Sequence, residues 1–337
     1  MQKVKLQILS ELINANKSFW DLLEANNFLL RDFIEAVNSL YNDGLITFDD
    51  SVFKLTEKGR KIFNKQIALF KSELCKNCFG KGIIFNGKFI DILNEFKNIV
   101  KNRPDPTLKF FQGYMKEYDV VARVAFMHFN NDLYNKQFIL IGDDDLLSIA
   151  LSLTDLPSRI CVLDVDKRLG EYIKKINQEY KFEIEFYEYN VTEPLPENLI
   201  NQFDVFSSEP LESLSGLKAF IERGICCLKN GGVGYFGLTT AEASLQKWLK
   251  IEKFLTKMNC VITNIIKGFS RYPMNYNTVN YEEFIKKLSF PIKPNPGIDW
   301  YKSALFRFEV LNKPNEIPNR KLRIKYVDLK EDFTYPI

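Results

Sequence analysis

Between residues 138 and 238, short apolar segments alternate with amphipathic ones, and this alternation limits what the chain can fold into more than any other feature. Five segments have the length and composition of buried strands, and stretches of helical periodicity separate them. The strand-like segments cover residues 138–141, 159–163, 182–189, 203–206 and 231–238. Alternating β and α units of this length build a parallel sheet with helices on both faces. The sequence therefore predicts an α/β fold with a Rossmann-like, mostly parallel sheet in a domain that covers residues 135–337 and includes a C-terminal tail.

A smaller module is predicted ahead of this sheet, in residues 1–72. Helical periodicity covers residues 4–13, 19–25 and 30–41, and strand-like residues 45–48 and 52–55 can pair as a hairpin. Three helices and a β hairpin are typical of a winged helix, whose third helix can bind DNA. However, residues 1–70 carry nine Lys or Arg and nine Asp or Glu, and Arg31 is the only cation in the third helix. Because DNA-binding faces are normally basic, we expect a packing or dimerisation module, and DNA binding is the weaker hypothesis.

The connector in residues 73–134 contains Cys75-Lys-Asn-Cys78, followed by Gly80 and Gly82. Two cysteines at this spacing are half of a four-ligand zinc site. The sequence has no second such pair, and its single histidine, His128, is far away along the chain. We therefore expect a knuckle-like turn without metal, or a pair that a second chain completes. A strand is predicted at residues 83–85, and a helical region with a break at residues 103–106 follows it.

Polar residues stand where the predicted strands end, which is the edge of an open α/β sheet where ligands bind. Gly142 follows the first strand, Asp164 ends the second, Asn190 ends the third and Glu209 follows the fourth. Glycine lets the backbone approach a nucleoside, and an acidic residue at the second strand end can bind both ribose hydroxyls. The chain lacks a Gly-x-Gly-x-x-Gly motif at the first turn, so a dinucleotide is disfavoured. The sequence favours a positively charged adenosyl ligand of the S-adenosylmethionine type.

Asp143, Asp144 and Asp145 are consecutive and form the sharpest motif in the chain. One Asp would suffice to cap the following helix, whereas three neighbouring carboxylates repel one another and raise the pKa of at least one of them. Such a cluster beside a sulfonium can bind a polycationic amine and accept a proton from an attacking nitrogen. With a single histidine in the chain, carboxylate chemistry is the simplest expectation, without a metal ion or a tightly bound cofactor.

Five motifs together resemble one known family. They are Phe-Ile-Leu-Ile-Gly-Asp-Asp-Asp-Leu at 138–146, Val-Leu-Asp-Val-Asp at 162–166, Phe-Asp-Val-Phe at 203–206 with Glu209-Pro210 after it, Gly-Gly-Val-Gly-Tyr-Phe-Gly-Leu-Thr at 231–239, and Trp-Tyr-Lys-Ser-Ala-Leu at 300–305. Across most of its length, the chain resembles the branched-chain polyamine synthases, or N4-bis(aminopropyl)spermidine synthases, of thermophiles. The Gly-Asp-Asp-Asp run is the specific element, and the other acidic strand ends are shared with methyltransferase-like folds.

The resemblance implies an aminopropyltransferase of polyamine biosynthesis. Its co-substrate is decarboxylated S-adenosylmethionine, and aminopropyl groups pass to N4 of spermidine, twice, with release of methylthioadenosine. Gly142, Asp164 and Asn190 are then expected to bind the nucleoside. The family usually has Asp at the position of Asn190, whose amide can bind adenine in its place.

The same resemblance implies that Asp145 accepts or orients the N4 proton and that Asp143 lies nearer the sulfonium. Asp144 and Glu209 are expected to bind the polyamine, and Glu209 shares the catalytic site. Glu209 stands where the family usually has the Asp of Asp-Pro-Pro, so its longer side chain can shift the amine. Tyr235 is included in the polyamine site because an aromatic face attracts cations, with Trp300 and Tyr301 as further candidates.

Several expectations concern the chain as a whole. The net charge of +3 is too small to indicate a polyanion-binding protein, and the six irregularly spaced cysteines do not suggest a secreted disulfide framework. No apolar stretch is long enough to span a membrane, so we expect a cytoplasmic protein without membrane contact. Spermidine and related polyamines are the expected partners, together with a second copy in a homodimer. Residues 319–330 are expected to be a solvated face or a closing segment.

Two alternative functions stay open at this point. The first is a methyltransferase that uses intact S-adenosylmethionine, which requires a partner for the methionine carboxylate that Asp143 to Asp145 would repel. The second is a regulator that senses an adenosyl ligand and binds DNA through its winged helix, which requires a basic third helix.

Overall fold

The computed structural model describes residues 2–62, 74–313 and 317–335, and it begins with helices around a small antiparallel sheet. The elements are α1 (Gln2–Asn14), β1 (Lys17–Ser18), α2 (Phe19–Ala25), α3 (Leu30–Asn42), β2 (Ile46–Asp49), β3 (Val52–Leu55) and α4 (Glu57–Ile62). Ser18 begins α2 with a capping box, in which its hydroxyl accepts from the Asp21 N–H and the Asp21 carboxylate accepts from the Ser18 N–H. The predicted helices and hairpin are confirmed.

This N-terminal part packs directly against the rest of the chain. The Trp20 indole donates to the Lys293 carbonyl over 3.1 Å, and the Leu30 N–H donates to the Ala241 carbonyl over 2.9 Å. On α3, Asn38 accepts from the Ser289 N–H and donates to the Lys287 carbonyl. The third helix, which would face DNA in a DNA-binding winged helix, therefore contacts this chain's own C-terminal half.

The connector consists of two helices with an irregular stretch on either side of the first. They are α5 (Lys88–Val100) and α6 (Glu117–Phe129), with a short 3₁₀ helix at Leu108–Phe110 between them. The predicted strand at residues 83–85 is wrong, because this segment pairs with no strand of the described chain. Phe85 instead packs its ring against Tyr118 and Phe89. The segment resembled a strand because it is apolar, but its aromatic contacts are with helices.

The α/β body is built on a seven-stranded sheet. Its elements are β4 (Gln137–Ile141), α7 (Leu147–Ser152), β5 (Arg159–Asp164), α8 (Lys167–Tyr180), β6 (Ile184–Glu188), β7 (Phe203–Ser208), α9 (Leu214–Cys227), β8 (Leu228–Thr239), α10 (Leu245–Lys257), β9 (Cys260–Tyr272) and β10 (Tyr301–Val310). The strand order is β6-β5-β4-β7-β8-β10-β9, and the first five strands are parallel. This confirms a mixed α/β fold with a mostly parallel, Rossmann-like sheet.

Helix α10 and the antiparallel pair β9 and β10 were not predicted from the sequence. β10 pairs with β8 on one side and β9 on the other, which makes β9 an edge strand. Its residues alternate between partly buried and exposed over most of its length, as in a strand with one covered face. Within the described ranges, none of the helices has the length and apolar character needed to cross a bilayer.

Candidate active site

A cavity of about 410 Å³ opens at the carboxyl ends of the parallel strands. Ile141 and Gly142 after β4, Asp164 at the end of β5, Asn190 after β6 and Glu209 after β7 all line it. Parallel strands end at the same edge of a sheet, so residues that are far apart in sequence meet there. The structure thus brings together four of the predicted strand-end positions in one cavity.

One end of the cavity is shaped by glycine and by apolar side chains. Gly142 has a φ of +77°, a backbone conformation that favours glycine, and its N–H donates to the Leu163 carbonyl over 2.9 Å. Val191 and Phe220 contribute apolar surface to the lining. The Asn190 side chain accepts from the N–H and the hydroxyl of Thr192, so its oxygen is already used in a local turn.

Asp164 is held rigidly at the same end. Its two carboxylate oxygens accept from the backbone N–H groups of Asp143 and Asp166, over 2.9 and 2.8 Å. Burial raises the pKa of Asp164, and these two hydrogen bonds oppose the rise. A carboxylate oxygen accepts more than one hydrogen bond, so the fixed side chain can still bind hydroxyl groups in the cavity.

The three consecutive aspartates have different environments. Asp143 is buried and accepts from the Ser148 N–H at the start of α7 over 3.2 Å, while its other oxygen lacks a hydrogen-bond partner. Asp144 lines the cavity and accepts from the Gly113 N–H over 3.2 Å. Asp145 is buried and accepts from the Met115 N–H. Of the three, only Asp144 is among the cavity-lining residues, and the other two carboxyl groups lie in the surrounding protein.

Burial perturbs the ionisation of all three groups. It raises the pKa of Asp143 and Asp144 well above the usual value, and the neighbouring carboxylates raise both further. Burial, followed by the negative charge of Glu209, raises the pKa of Asp145 to about 7. A protonated carboxyl group can donate a hydrogen bond, and a nearby cation would drive its ionisation. This cluster is therefore suited to a positively charged ligand.

Glu209 lines the cavity and is tied to neighbouring side chains. Its carboxylate accepts hydrogen bonds from the Arg123 guanidinium and from the Tyr272 hydroxyl. The Tyr272 hydroxyl also lies 2.9 Å from that of Ser303 on β10. A Cβ atom at Gly237 would lie 1.9 Å from the Glu209 carboxylate, so glycine on β8 provides the room that this side chain occupies.

Three carboxyl groups that the sequence analysis missed also line the cavity: Glu212, Glu242 and Asp332. Burial raises the pKa of Glu212 well above its usual value and that of Asp332 to about 7. One oxygen of Glu212 is buried without a hydrogen-bond partner. Lys247 donates to the backbone carbonyls of Glu212 and Glu242 and lies 3.2 Å from Glu331. One lysine thus lies beside several carboxyl groups, so acidic side chains outnumber cations in this cluster.

Of the three aromatic residues predicted for the polyamine site, only one lines the cavity. Tyr235 does not line the cavity, because it is fully buried on β8 with its hydroxyl bonded to Asp132 and within 3.1 Å of Arg307. Trp300 is buried too, and its indole donates to Glu282 over 2.9 Å. Tyr301 does line the cavity. The inclusion of Tyr235 in the substrate site is therefore corrected, since β8 directs this side chain into a buried polar cluster.

Residues 317–335 lie against the body and cover part of the cavity. The Leu322 N–H donates to the Thr192 carbonyl over 2.7 Å, and Glu242 accepts from the Thr334 N–H and hydroxyl. Tyr326 and Tyr335 line the cavity and stack on Phe111 at 6.0 and 5.5 Å between ring centroids. The segment expected to be a solvated face or a closing segment contributes side chains to the cavity lining.

Cys75 and Cys78 lie outside this cavity. Cys75 is exposed and Cys78 is half-buried, and both thiols are free. Among the residues that the structure describes, no three histidine, cysteine, aspartate or glutamate side chains are grouped as metal ligands would be.

Comparison with known proteins is consistent with this geometry. The family model for the branched-chain polyamine synthase A C-terminal domain matches residues 91–332. A protein of Thermococcus kodakarensis named N(4)-bis(aminopropyl)spermidine synthase is 38% identical over 89% of this chain and 85% of its own length. A protein of the same name from Methanocaldococcus jannaschii is 37% identical over 90% of this chain and 86% of its own length.

One solved structure extends the similarity to nearly the whole chain. It is the branched-chain polyamine synthase from Thermus thermophilus in complex with N4-aminopropylspermidine and 5'-methylthioadenosine. It superimposes with a TM-score of 0.82 at 28% identity, covering 98% of this chain and 92% of the other. The chain belongs to the branched-chain polyamine synthase family.

Proposed function

We propose that this chain transfers aminopropyl groups from decarboxylated S-adenosylmethionine to N4 of spermidine, giving a branched polyamine and 5'-methylthioadenosine. The observation that carries the proposal is a single cavity lined both by the strand-end residues Gly142 and Asp164 and by a cluster of carboxyl groups. Relatives at 37–38% identity bear the corresponding name, and the solved relative holds the corresponding pair of products.

The chemistry requires two cations to meet. The lone pair of N4 attacks the aminopropyl carbon next to the sulfonium, and the carbon–sulfur bond breaks with its electrons passing to sulfur. In the first transfer N4 loses its proton and becomes a tertiary amine. In the second transfer the tertiary amine becomes a quaternary ammonium without losing a proton. The protein must therefore bind a polyamine cation beside a sulfonium, and it must accept one proton.

The charge of the cavity supports this donor and acceptor. Asp144, Glu212, Glu242 and Asp332 line it in addition to Glu209, which is paired with Arg123, and buried carboxyl groups with few cationic partners attract amines. The intact form of S-adenosylmethionine carries a further carboxylate, which these groups would repel. The decarboxylated donor lacks that group, so the same cavity favours aminopropyl transfer over methyl transfer.

We assign the residue roles from this geometry. Gly142, Asp164 and Asn190 bind the nucleoside, with Asp164 on the ribose hydroxyls. Asp144 lines the cavity and is the carboxylate that accepts or orients the N4 proton. Asp145 lies among Met115, Arg123 and Glu209 and supplies negative charge to the same centre. This assignment exchanges the roles that the family resemblance implied for the two aspartates.

Asp143 acts mainly as a positioning residue, since its carboxyl group caps α7 through the Ser148 N–H while its own N–H fixes Asp164. The ion pair with Arg123 holds the Glu209 carboxylate in place. In this position Glu209 orients the polyamine acceptor. Glu212, Glu242 and Asp332 bind the terminal ammonium groups of the polyamine.

We propose that residues 2–62 form a winged-helix module that packs against the rest of the chain and does not bind DNA. Arg31 pairs with Glu35 at 3.6 Å and donates to the Lys330 carbonyl over 3.1 Å. Asn38 on the same helix is bonded to residues 287 and 289. The cation and the helix face that a DNA-binding module would use are engaged within the chain. We further propose that the protein forms a homodimer.

The proposal is tested by incubating the purified chain with spermidine and either form of the sulfonium donor, then identifying the products by mass spectrometry. Decarboxylated S-adenosylmethionine should give methylthioadenosine in step with one or two aminopropyl additions to the amine. If only the intact donor reacts and S-adenosylhomocysteine is formed, the protein is a methyltransferase and the proposal is wrong.

A further inference from the structure

Tyr272 and Tyr301 both line the cavity, and together they form its aromatic corner. Tyr272 ends β9, Tyr301 begins β10, and the two residues are direct partners in the antiparallel ladder. Their ring centroids lie 5.8 Å apart with 83° between the planes, so the rings meet edge to face. The Trp300 ring contacts Tyr301 at 5.6 Å in the same manner. Strand pairing and ring contacts therefore hold the aromatic corner in place.

The hydroxyl groups of the aromatic corner are already engaged with the protein. The Tyr272 hydroxyl donates to the Glu209 carboxylate and lies 2.9 Å from the Ser303 hydroxyl. The Tyr301 hydroxyl donates to Glu242 over 3.0 Å. What the two tyrosines can offer to a ligand is therefore mainly ring surface. A hydrogen bond from a phenol to a carboxylate makes the ring richer in electrons, which strengthens its attraction for a cation.

The carboxylate that lies beside Tyr272 is compensated by a cation of the protein. Glu209 accepts a hydrogen bond from the guanidinium of Arg123, which is 1% exposed. A ligand cation beside Tyr272 thus meets a carboxylate whose charge is already balanced. The aromatic ring supplies an attraction at this position that the paired carboxylate does not supply alone.

The two transfers place different demands on the groups around N4. In the first transfer N4 carries an N–H, so a carboxylate can accept its hydrogen bond and then its proton. In the second transfer the lone pair of the tertiary amine forms the new carbon–nitrogen bond, the electrons of the carbon–sulfur bond pass to sulfur, and no proton is lost. The quaternary ammonium has no N–H to donate to a carboxylate. Aromatic faces are the protein groups that recognise such ions.

We propose that the aromatic corner of Tyr272 and Tyr301 contacts N4 during the second transfer and stabilises the quaternary ammonium as it forms. This role rests on the proposed function and assigns the second aminopropyl addition its own determinant within the same cavity. The residues that accept or orient the N4 proton control the first transfer, and the aromatic corner controls whether the second follows.

Separate rates for the two transfers test this role. Spermidine and N4-aminopropylspermidine are each mixed with decarboxylated S-adenosylmethionine and an excess of enzyme, and the release of methylthioadenosine is followed over a single turnover. Tyr272→Phe keeps the ring and loses only the hydroxyl, whereas Tyr272→Leu loses both, and the same pair is made at Tyr301. The ratio of the second rate to the first should be about tenfold lower in each Leu variant than in its Phe counterpart.

A matched control removes an aromatic ring elsewhere in the cavity. Phe220 also lines it, close to Gly142, where a Cβ atom on the glycine would lie 3.6 Å from the Phe220 ring. Phe220→Leu should affect both transfers alike and leave their ratio unchanged.

Fluorinated phenylalanines at position 272 give a second measurement that does not depend on the stability of the Leu variants. They keep the size and shape of the ring of Tyr272→Phe but withdraw electrons from its face. From unsubstituted to trifluorinated phenylalanine, the rate of the second transfer should fall stepwise while the rate of the first changes little.

Three outcomes would each overturn the role of the aromatic corner and leave the proposed function intact. They are equal losses of both rates in the Leu variants, a second rate that does not respond to fluorination, and a parent chain that stops after the first transfer. If the parent chain releases no methylthioadenosine with either acceptor, the proposed function itself is wrong, and the role of the aromatic corner fails with it.

Discussion

The buried guanidinium of Arg123 on α6 donates a hydrogen bond to the carboxylate of Glu209, which lines the cavity after β7. Arg123 is 1% exposed, so its charge depends on this partner. Glu212, three residues further along, has no comparable partner, and one of its oxygens is buried without a hydrogen bond. The carboxyl groups of the cavity thus divide into one that an arginine neutralises and others that can ionise when a cationic ligand binds beside them.

Replacement of Arg123 by Met should destabilise the protein. The substitution leaves the Glu209 carboxylate without its cation, and breaking a buried ion pair by removing one partner costs about 3 kcal/mol. Urea denaturation of the two proteins measures the difference in the free energy of unfolding. The double variant Arg123→Met with Glu209→Gln should recover part of the loss, because no uncompensated charge is then left. A single variant as stable as the parent would contradict the role given to this pair.

Glu212→Gln, in contrast, should not destabilise the protein but should weaken the binding of spermidine. Burial raises the pKa of Glu212 well above normal, so removal of its charge should not lower the free energy of unfolding. Spermidine should bind about tenfold more weakly, which corresponds to about 1.4 kcal/mol, because an uncompensated carboxylate is lost. Isothermal titration calorimetry measures the affinity, with the exposed Glu197→Gln as a matched control. Unchanged spermidine affinity in the Glu212 variant would remove this residue from the polyamine site.

Polyamine binding should release protons near neutral pH. Asp145 and Asp332 have pKa values of about 7, whereas an ordinary carboxyl group, with a pKa of about 4, is already ionised there. A bound cation favours the ionised form and lowers both pKa values, so affinity should rise as the pH increases from about 6 to about 8. Calorimetry at pH 7 in buffers of different ionisation enthalpy counts the protons. Proton uptake, or none, would show that the bound polyamine does not change the ionisation of these carboxyl groups.

The consecutive aspartates can be ranked by single substitutions. Asp144→Asn removes the carboxylate that lines the cavity and should lower kcat by about 10² to 10⁴-fold. Asp145→Asn should have a smaller effect, on the order of tenfold, because this residue acts on the reaction through its charge. Single-turnover measurements with saturating substrates separate the chemical step from binding. A larger loss in the Asp145 variant would restore the assignment that the family resemblance implied.

The strand ends were predictable because periodicity locates buried strands and because parallel strands end at one edge. Gly142, Asp164 and Glu209 meet in the cavity for that reason. Glu242 and Asp332 were not predictable, since the first follows β8 and the second belongs to a segment without helix or strand that returns over the sheet. No local pattern marks such a long-range approach.

The wrong predictions for Tyr235 and for residues 83–85 have equally local causes. Alternate residues of a strand point to opposite faces, and the sequence alone did not show that Tyr235 faces Asp132 and Arg307. The apolar residues 83–85 resembled a strand but pack on helices. The domain boundaries and the cytoplasmic location stay predictions.

The position of the new carbon–nitrogen bond tests the central claim most directly. Spermidine labelled with ¹⁵N at N4 would be incubated with decarboxylated S-adenosylmethionine and this chain, and the product examined by nitrogen NMR. We expect the labelled nitrogen to become tertiary after one transfer and quaternary after two, in step with the methylthioadenosine released. A labelled nitrogen that remains a secondary amine while a terminal nitrogen is extended would identify a linear polyamine synthase and contradict the account.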